Sequence, residues 1–481
     1  SYASILGDPY DTIEFDEDLD RVIDGRIEAI GADGRLMPAP SGEVYQVNLA
    51  EKIVVTLLSK IANFIPDTGI WMNTQRPEWN DANNALVGTG VSVVTLCYLH
   101  RFLKKAVTLF SELEQDSVQL SEEVAAFMSD IASVLGARQG SIGKGPVSDA
   151  VRKEVMEAFG TAAERYRRGI YDHGFSASRK SVSLVSVVDC LSRARDISAI
   201  SIRSNRREDG LYHAYNRIAV RDDGVEIKYL CEMLEGQVAV LSSELLEADE
   251  SLALLKTLRA SSLYTARQQS YLLYPNRQLP SFMARNLVPG EIVKSSTLMT
   301  KLLAAGNTDL IEVDGSGQAF FSGKFNNTAS VAAALTSLAD DGFAEEVSAE
   351  RTAIETLFSD LFDHANFTGR SGGMYAYEGL GSIYWHMVSK LLLAVMETLK
   401  QAEEAGASAD VSAGLQSAYY DVREGIGFNK TPDVYGAFPT DPYSHTPGFA
   451  GARQPGMTGQ VKEEVLTRLL ELGVEVADAR V

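Results

Sequence analysis

Four stretches of this chain bring together side chains that could do chemistry on a polar, uncharged substrate. The first reads Asn73-Thr74-Gln75-Arg76-Pro77-Glu78-Trp79-Asn80-Asp81-Ala82-Asn83-Asn84. Nearly every side chain in it can hydrogen-bond, and an indole stands among carboxylates and amides. A Trp ring offers a flat apolar face to a pyranose, while amides and carboxylates bond the sugar hydroxyls. A carboxyl beside an indole can also keep its proton and so serve as a proton donor. The competing reading is a capped helix entrance, with Asp81 or Asn84 as N-cap and Trp79 as a plug in the core. The second stretch, Arg370-Ser371-Gly372-Gly373-Met374-Tyr375-Ala376-Tyr377-Glu378-Gly379-Leu380-Gly381-Ser382-Ile383-Tyr384-Trp385-His386, runs through glycines into an apolar helix. Glycine lets the backbone come close to a ligand. A single His at such a place is more often a hydrogen-bonded core residue, but Arg370, Glu378 and His386 share one entrance.

The third stretch combines Asp441-Pro442-Tyr443-Ser444-His445-Thr446-Pro447-Gly448 with Gly451-Ala452-Arg453-Gln454-Pro455-Gly456-Met457-Thr458-Gly459-Gln460. Free N–H groups at a helix start preceded by a Gly-rich loop attract anions, and Thr458 can cap the helix; an ordinary Thr cap is the alternative. No Gly-Lys-Ser/Thr follows, so this is not a P-loop and nucleotide hydrolysis is unsupported. The fourth, Glu232-Met233-Leu234-Glu235-Gly236-Gln237-Val238-Ala239-Val240-Leu241-Ser242, puts Glu235 and Gln237 at the head of an apolar helix, where a solvated first turn is the ordinary outcome.

These stretches must be positioned by helices. Apolar residues recur at helical spacing over 47–65, 88–114, 121–135, 148–168, 229–246, 251–261, 329–338, 348–365, 380–405, 413–425 and 459–472, too many segments for a simple bundle. Hairpins are predicted around Arg221-Asp222-Asp223-Gly224 and Asp314-Gly315-Ser316-Gly317, where turn residues sit between alternating flanks. No repeat with a consensus is present, so a solenoid is disfavoured. The chain is therefore expected to be mainly α, a helical toroid with short β-hairpin insertions. Residues 1–45, acidic and rich in Gly and Pro without a sustained period, read as a surface lead-in; 46–473 read as the helical catalytic domain. The chain starts at Ser1 and not at Met, and 474–481 resembles the start of a truncated strand, so a fragment is expected.

At 481 residues with 45% hydrophobic and 23% charged, the composition is that of a soluble globular protein. Lys+Arg 44 against Asp+Glu 65 leaves a formal charge of −21, which repels phosphate backbones and anionic lipid, so neither nucleic acid nor a membrane is expected as a partner. Cys97, Cys190 and Cys231 are spaced neither for a disulfide framework nor for a metal site, and a reduced, cytoplasmic chain is expected, with no metal.

In this order the four stretches resemble the inverting glycoside phosphorylases of the cellobiose-phosphorylase type. Trp79-Asn80-Asp81 is similar to that family's Trp-Asn-Asp motif, and Gln237-Val238-Ala239-Val240-Leu241-Ser242 to its Gln-x-x-Ala-Val-x-Ser helix start, with the Gln one place nearer the Ala. Glu378-Gly379-Leu380-Gly381-Ser382-Ile383-Tyr384-Trp385-His386 resembles its Glu-Asn-Gly-Gly-Ile-Tyr/Phe-x-His segment, and Thr458-Gly459 its Thr-Gly pair. The resemblance runs from about Gln75 to Glu464. The interval from Asp81 to His386 is longer than in the family, which calls for inserted helices or hairpins. Glu78 stands where an Asp often precedes the Trp, the residues after Gly459 are not aromatic, and no N-terminal β-sandwich is visible before Val47.

The resemblance implies an (α/α)6 barrel, whole or partial, that cleaves or forms β-glucosidic linkages with inversion. It makes Asp81 the general acid and places Gln75, Arg76, Trp79, Asn80, Asn84, Glu235, Gln237 and Tyr377 against an oligosaccharide or β-glucan. Inorganic phosphate would be the co-substrate, with no other cofactor, held by Arg370, His386, Arg453, Thr458 and Gly459. The alternatives are an inverting β-glucan hydrolase with Glu378 as base, and a non-catalytic glycan-binding or scaffold protein.

Overall fold

The computed structural model describes residues 2–7, 15–73, 86, 88–138, 140, 142, 145–276, 280–362, 382–426, 431, 445–447 and 460–474. The chain forms two compact units, one of Ser1–Thr74, Gly88–Asn276 and Gly379–Val481, the other of Gln75–Val87 and Arg277–Glu378. Helices dominate and the sheets are small and antiparallel.

In the first unit four helices follow the four chemistry-bearing stretches: α1 (Val93–Ser111), α2 (Leu234–Ser242), α3 (Trp385–Glu404) and α4 (Gln460–Glu471). α1 packs on α2, α2 on α3, and α3 on α4. Leu96, Leu103, Val238, Leu241, Leu391 and Val395 lie within one apolar cluster that α1, α2 and α3 share with Leu49–Ile61, Glu122–Arg138 and Ala409–Gly425. α1 is started by Ser92, whose hydroxyl accepts the Thr95 amide at 2.9 Å and so satisfies one of the helix's orphan donors.

The helix Leu184–Ser204, which packs on α1, is absent from the periodicity reading. Its buried face includes Ser198 and Ser201 among Leu184, Val187, Leu191, Ala194, Ile197 and Ile202, so an apolar count along the sequence loses the stripe. Both serines are bonded: Ser198 donates to the Arg195 carbonyl at 2.6 Å, and the Ser201 hydroxyl accepts the Asp67 amide at 3.0 Å. The helix predicted over 229–246 is shorter for a different reason. Residues up to Tyr229 form a strand, and Met233 is extended (φ −138, ψ 149) before α2 begins.

A five-stranded antiparallel sheet runs in the order Phe64–Ile65, Gly69–Trp71, Gly90–Ser92, Tyr215–Val220, Val225–Tyr229. The last two are joined by the turn at Arg221-Asp222-Asp223-Gly224. A Cβ on Gly224 would lie 2.7 Å from the Asp149 side chain and 2.8 Å from its carbonyl carbon, so glycine is required by close approach to the helix Asp149–His173. The acidic lead-in carries a helix, Glu17–Ile30, capped by Asp16 and acidic in its first turn; none of its residues is buried. Val474 follows the turn after α4, and 475–481 lie outside the described residues.

The second unit holds a three-stranded antiparallel sheet, Leu287–Val288, Ala319–Phe321, Ile311–Val313, and the helices Thr297–Ala305, Thr328–Leu338 and Ala344–Phe362. Its core is separate, built on Leu298, Leu302, Leu335 and Ile354 with the rings of Phe321, Phe325 and Phe358 in edge contact. The turn at Asp314-Gly315-Ser316-Gly317 closes its hairpin; Gly317 takes φ 85, and the Asp314 carboxylate accepts the amides of Ser316 and Gln318, each at 2.9 Å. The main segment of this unit, Arg277–Glu378, lies within the long interval between Asp81 and His386. Among the described residues no helix is long and apolar enough to cross a membrane.

Candidate functional site

Three of the expected site residues are described: Glu235, Gln237 and His386. Gln75, Arg76, Trp79, Asn80, Asp81, Asn84, Arg370, Tyr377, Glu378, Arg453, Thr458 and Gly459 lie outside the described residues. The elements that carry them are placed at their edges. The stretch after Asn73 leaves and returns through a pinned neck: Gly88 N–H donates to Met72 O at 2.7 Å, Met72 N–H to Gly90 O at 2.9 Å, and the Trp71 indole N–H to Gly88 O at 2.8 Å. The second and third stretches meet as a two-stranded ladder, Ser382–Tyr384 against His445–Pro447, with Tyr384 opposite His445.

These contacts bring the starts of the four helices to one end of the unit. Ser92, the cap of α1, pairs in the sheet with Tyr215. The Tyr215 hydroxyl donates to Glu235 Oε2 at 3.0 Å, and Glu235 lies in the first turn of α2. Tyr384 precedes α3, and burial, followed by the carboxylates of Glu235 and Glu463, pushes its phenol above the ordinary tyrosine value. His386, the second residue of α3, reaches the first turn of α4, where its Nε2 lies 3.1 Å from Glu463 Oε1. On the other side of its ring, Nδ1 is 3.4 Å from the Tyr384 hydroxyl. Elsewhere in the unit, Arg101 of α1 makes a two-pronged ion pair with Glu397 of α3, at 2.8 and 2.9 Å. A bidentate guanidinium–carboxylate pair of this kind fixes one helix against another.

His386 is buried, 9% exposed, and is not solitary. Burial pulls its pKa below the ordinary histidine value, and Glu463 pulls it back up; the charges of Lys390 and Lys462 favour the neutral ring. Glu463 is 2% exposed, and its Oε2 has no hydrogen-bond partner among the described residues. Its Oε1 also meets Lys462 at 3.2 Å, but that lysine is 72% exposed and well screened. The buried neighbour of this carboxylate is therefore an imidazole.

Gln237 requires a correction. It was expected against the sugar, yet it is fully buried and its amide is spent on the chain itself. Oε1 accepts the Tyr212 amide at 2.8 Å, and Nε2 donates to Tyr212 O at 2.8 Å and to Met233 O at 2.9 Å. Both amide hydrogens are used, so Gln237 holds α2 to the strand leading into the sheet and leaves Glu235 as the side chain of that turn facing the tyrosines. Sequence reasoning missed Tyr215, Tyr384 and Glu463. Tyr384 was legible as part of the Ile-Tyr-x-His run; Tyr215 and Glu463 carry no local signal, because their partners, Glu235 and His386, lie 20 and 77 positions away.

Residues 279–365 match a family described as GH149 phosphorylase insertion domain 2. The match falls within the second unit, whose main segment is Arg277–Glu378. It points to a glycoside phosphorylase, a carbohydrate-active enzyme working on oligosaccharide and phosphate, at a coarser level than the cellobiose-phosphorylase type. No curated protein matches the chain.

Proposed function

We propose that the chain is an inverting glycoside phosphorylase whose helices form an (α/α)6 barrel, whole or partial. The observation that carries this is the gathering of the four helix starts: the helices that follow the Trp79-Asn80-Asp81, Gln237, His386 and Thr458-Gly459 motifs begin at one end of one unit. The insertion-domain match, in a different part of the chain, supports the same reaction class.

In this reading Asp81 protonates the leaving glycosidic oxygen of a β-glucosidic bond as that carbon–oxygen bond breaks. A phosphate oxygen attacks the anomeric carbon from the opposite face, and an α-configured sugar 1-phosphate leaves with inversion. Phosphate supplies the nucleophile, so no protein base is needed. His386, the Thr458 and Gly459 amides at the start of α4, and Arg370 or Arg453 hold it. Gln75, Arg76, Trp79, Asn80, Asn84, Glu235 and Tyr377 face the sugars.

One observation favours a second reading. A buried carboxylate, Glu463, stands beside the histidine that should receive an anion. Water activated by Glu378 would avoid that conflict and make the enzyme an inverting hydrolase. The test is to incubate the protein with β-gluco-oligosaccharides of different linkage, with and without inorganic phosphate. Phosphate-dependent release of sugar 1-phosphate is the expected result; free reducing sugar at equal rate in both arms selects hydrolysis, and no release in either arm rejects both.

A further inference from the structure

The Glu463 carboxylate looks misplaced at an anion site, and its geometry gives it a task. This inference rests on the phosphorylase reading of His386. We propose that Glu463 is a positioning residue that fixes the Nε2 proton of His386 and thereby makes phosphate binding a proton-coupled step, with Nδ1 passing from the Tyr384 hydroxyl to the incoming phosphate.

With the imidazole neutral, Nε2–H donates to Glu463 Oε1 at 3.1 Å, so Nδ1 carries the lone pair and accepts from the Tyr384 hydroxyl at 3.4 Å. In that state the ring offers an anion nothing. It must take a second proton, on Nδ1, before it can donate to phosphate. Glu463 makes that protonation possible in a buried place: an ionised carboxylate taken out of water is stabilised chiefly by a neighbouring cation, and one of its oxygens has no hydrogen-bond partner among the described residues. The groups around the ring are few. Glu463 favours the charged form, Lys390 and Lys462 oppose it, and burial opposes it most. Tyr384, kept protonated by burial and by Glu235 and Glu463, is a neutral neighbour that a phosphate dianion outcompetes for an N⁺–H donor. Proton and anion therefore arrive together: one proton is taken from solvent by Nδ1, the hydrogen bond to Tyr384 is lost, and one to a phosphate oxygen is gained. An N–H bond forms from the Nδ1 lone pair as a solvent hydronium loses its O–H bond and becomes water; no bond to phosphorus or carbon changes.

The test uses the full chain and inorganic phosphate. Glu463→Gln keeps an oxygen to accept Nε2–H but removes the charge; losing an opposite charge at this distance lowers a histidine pKa by about one to three pH units. The alkaline limb of the phosphate KM profile should move to lower pH by that amount, so that at neutral pH the phosphate KM rises about tenfold or more. The sugar KM and kcat at saturating phosphate should change far less, and Glu463→Asp should restore part of the loss. If Glu463→Gln, folded with an unchanged melting temperature, keeps the wild-type phosphate KM profile, the proposal is overturned. An independent measurement covers a variant that fails to fold. In the wild-type chain, NMR titration of the His386 ring should show its apparent pKa rising by at least about one pH unit when inorganic phosphate is added. A ring that titrates identically with and without phosphate rejects the coupling. Absence of sugar 1-phosphate formation by the wild type would reject the phosphorylase reading instead.

Discussion

Gln237 separates two roles that a sequence motif cannot distinguish, and Gln237→Leu exposes the difference. Leucine fills similar volume but leaves the Tyr212 N–H without its side-chain acceptor and takes the side-chain donor from the Tyr212 and Met233 carbonyls, all at a fully buried position. Each lost bond is worth about 1 kcal/mol and each orphaned buried group costs about 1–3 kcal/mol, so a local loss of about 3–5 kcal/mol is expected once overlap between these terms is allowed for. The site cannot relax easily. A Cβ on the neighbouring Gly236 would lie 3.0 Å from Ala214 N, so helix and strand are already in contact there. The assay is amide hydrogen exchange at Tyr212, whose N–H is bonded by the mutated side chain itself; at about 1.4 kcal/mol per tenfold, protection should fall by more than about a hundredfold. Sugar KM, measured on the fraction still folded, should stay within about twofold. Unchanged Tyr212 protection together with a large rise in sugar KM would refute this reasoning and return Gln237 to the substrate.

Other outcomes follow from the same geometry. Asp81→Asn should lower turnover of an unactivated glycoside by about 10²- to 10⁴-fold while leaving the melting temperature unchanged, since the amide keeps the shape but has no proton to give; a wild-type rate would remove Asp81 from the mechanism. Gly69 sits at φ 150 with an added Cβ 2.6 Å from Ser92 O, so Gly69→Ala should cost about 3 kcal/mol or more in a thermal or urea melt, by strain and by displacing the cap of α1. His100 and His213, 4% and 8% exposed, are each held neutral by burial with pKa values of about 4. The unfolded chain binds these protons near pH 6.5, so stability is complete above that value and falls as pH drops towards 4, by at most about 3 kcal/mol for each ring. Replacing His100 with Gln should flatten that decline in a pH series of melts, and an unaltered slope would count against it.

Much of the fold was legible because its signals are local. The buried stripe of α3 follows the apolar period that predicted a helix over 380–405, and Asp314 holds its turn through bonds within five residues. What was lost is polar and buried. Ser198 occupies a helix-packing face because His100 lies 2.8 Å away, with Nδ1 donating to a hydroxyl that itself donates to Arg195 O. No count of apolar residues can see such a position. Nor could composition separate the second unit, whose helices are as periodic as those of the first; the length of the interval between motifs was the only hint.

The candidate site shows the same division more sharply. Each motif tells which loop leads into which helix, and that much was readable from glycines, caps and apolar runs. That the helix starts meet depends on Tyr384 pairing with His445, Ser92 with Tyr215, and His386 with Glu463, contacts between residues dozens to more than a hundred positions apart. Glu463 is the clearest case. An acidic residue in the first turn of a helix is what the dipole favours on any solvated surface, so its type argued for water. Yet α4 turns Glu463 and Thr467 inward and leaves Val465, Leu466 and Leu469 exposed, the reverse of an ordinary amphipathic helix. A buried carboxylate there is tolerated because a histidine from another helix meets it. That cost in burial is the physical reason to look for its function in the proton on that histidine, and not in the stability of the helix.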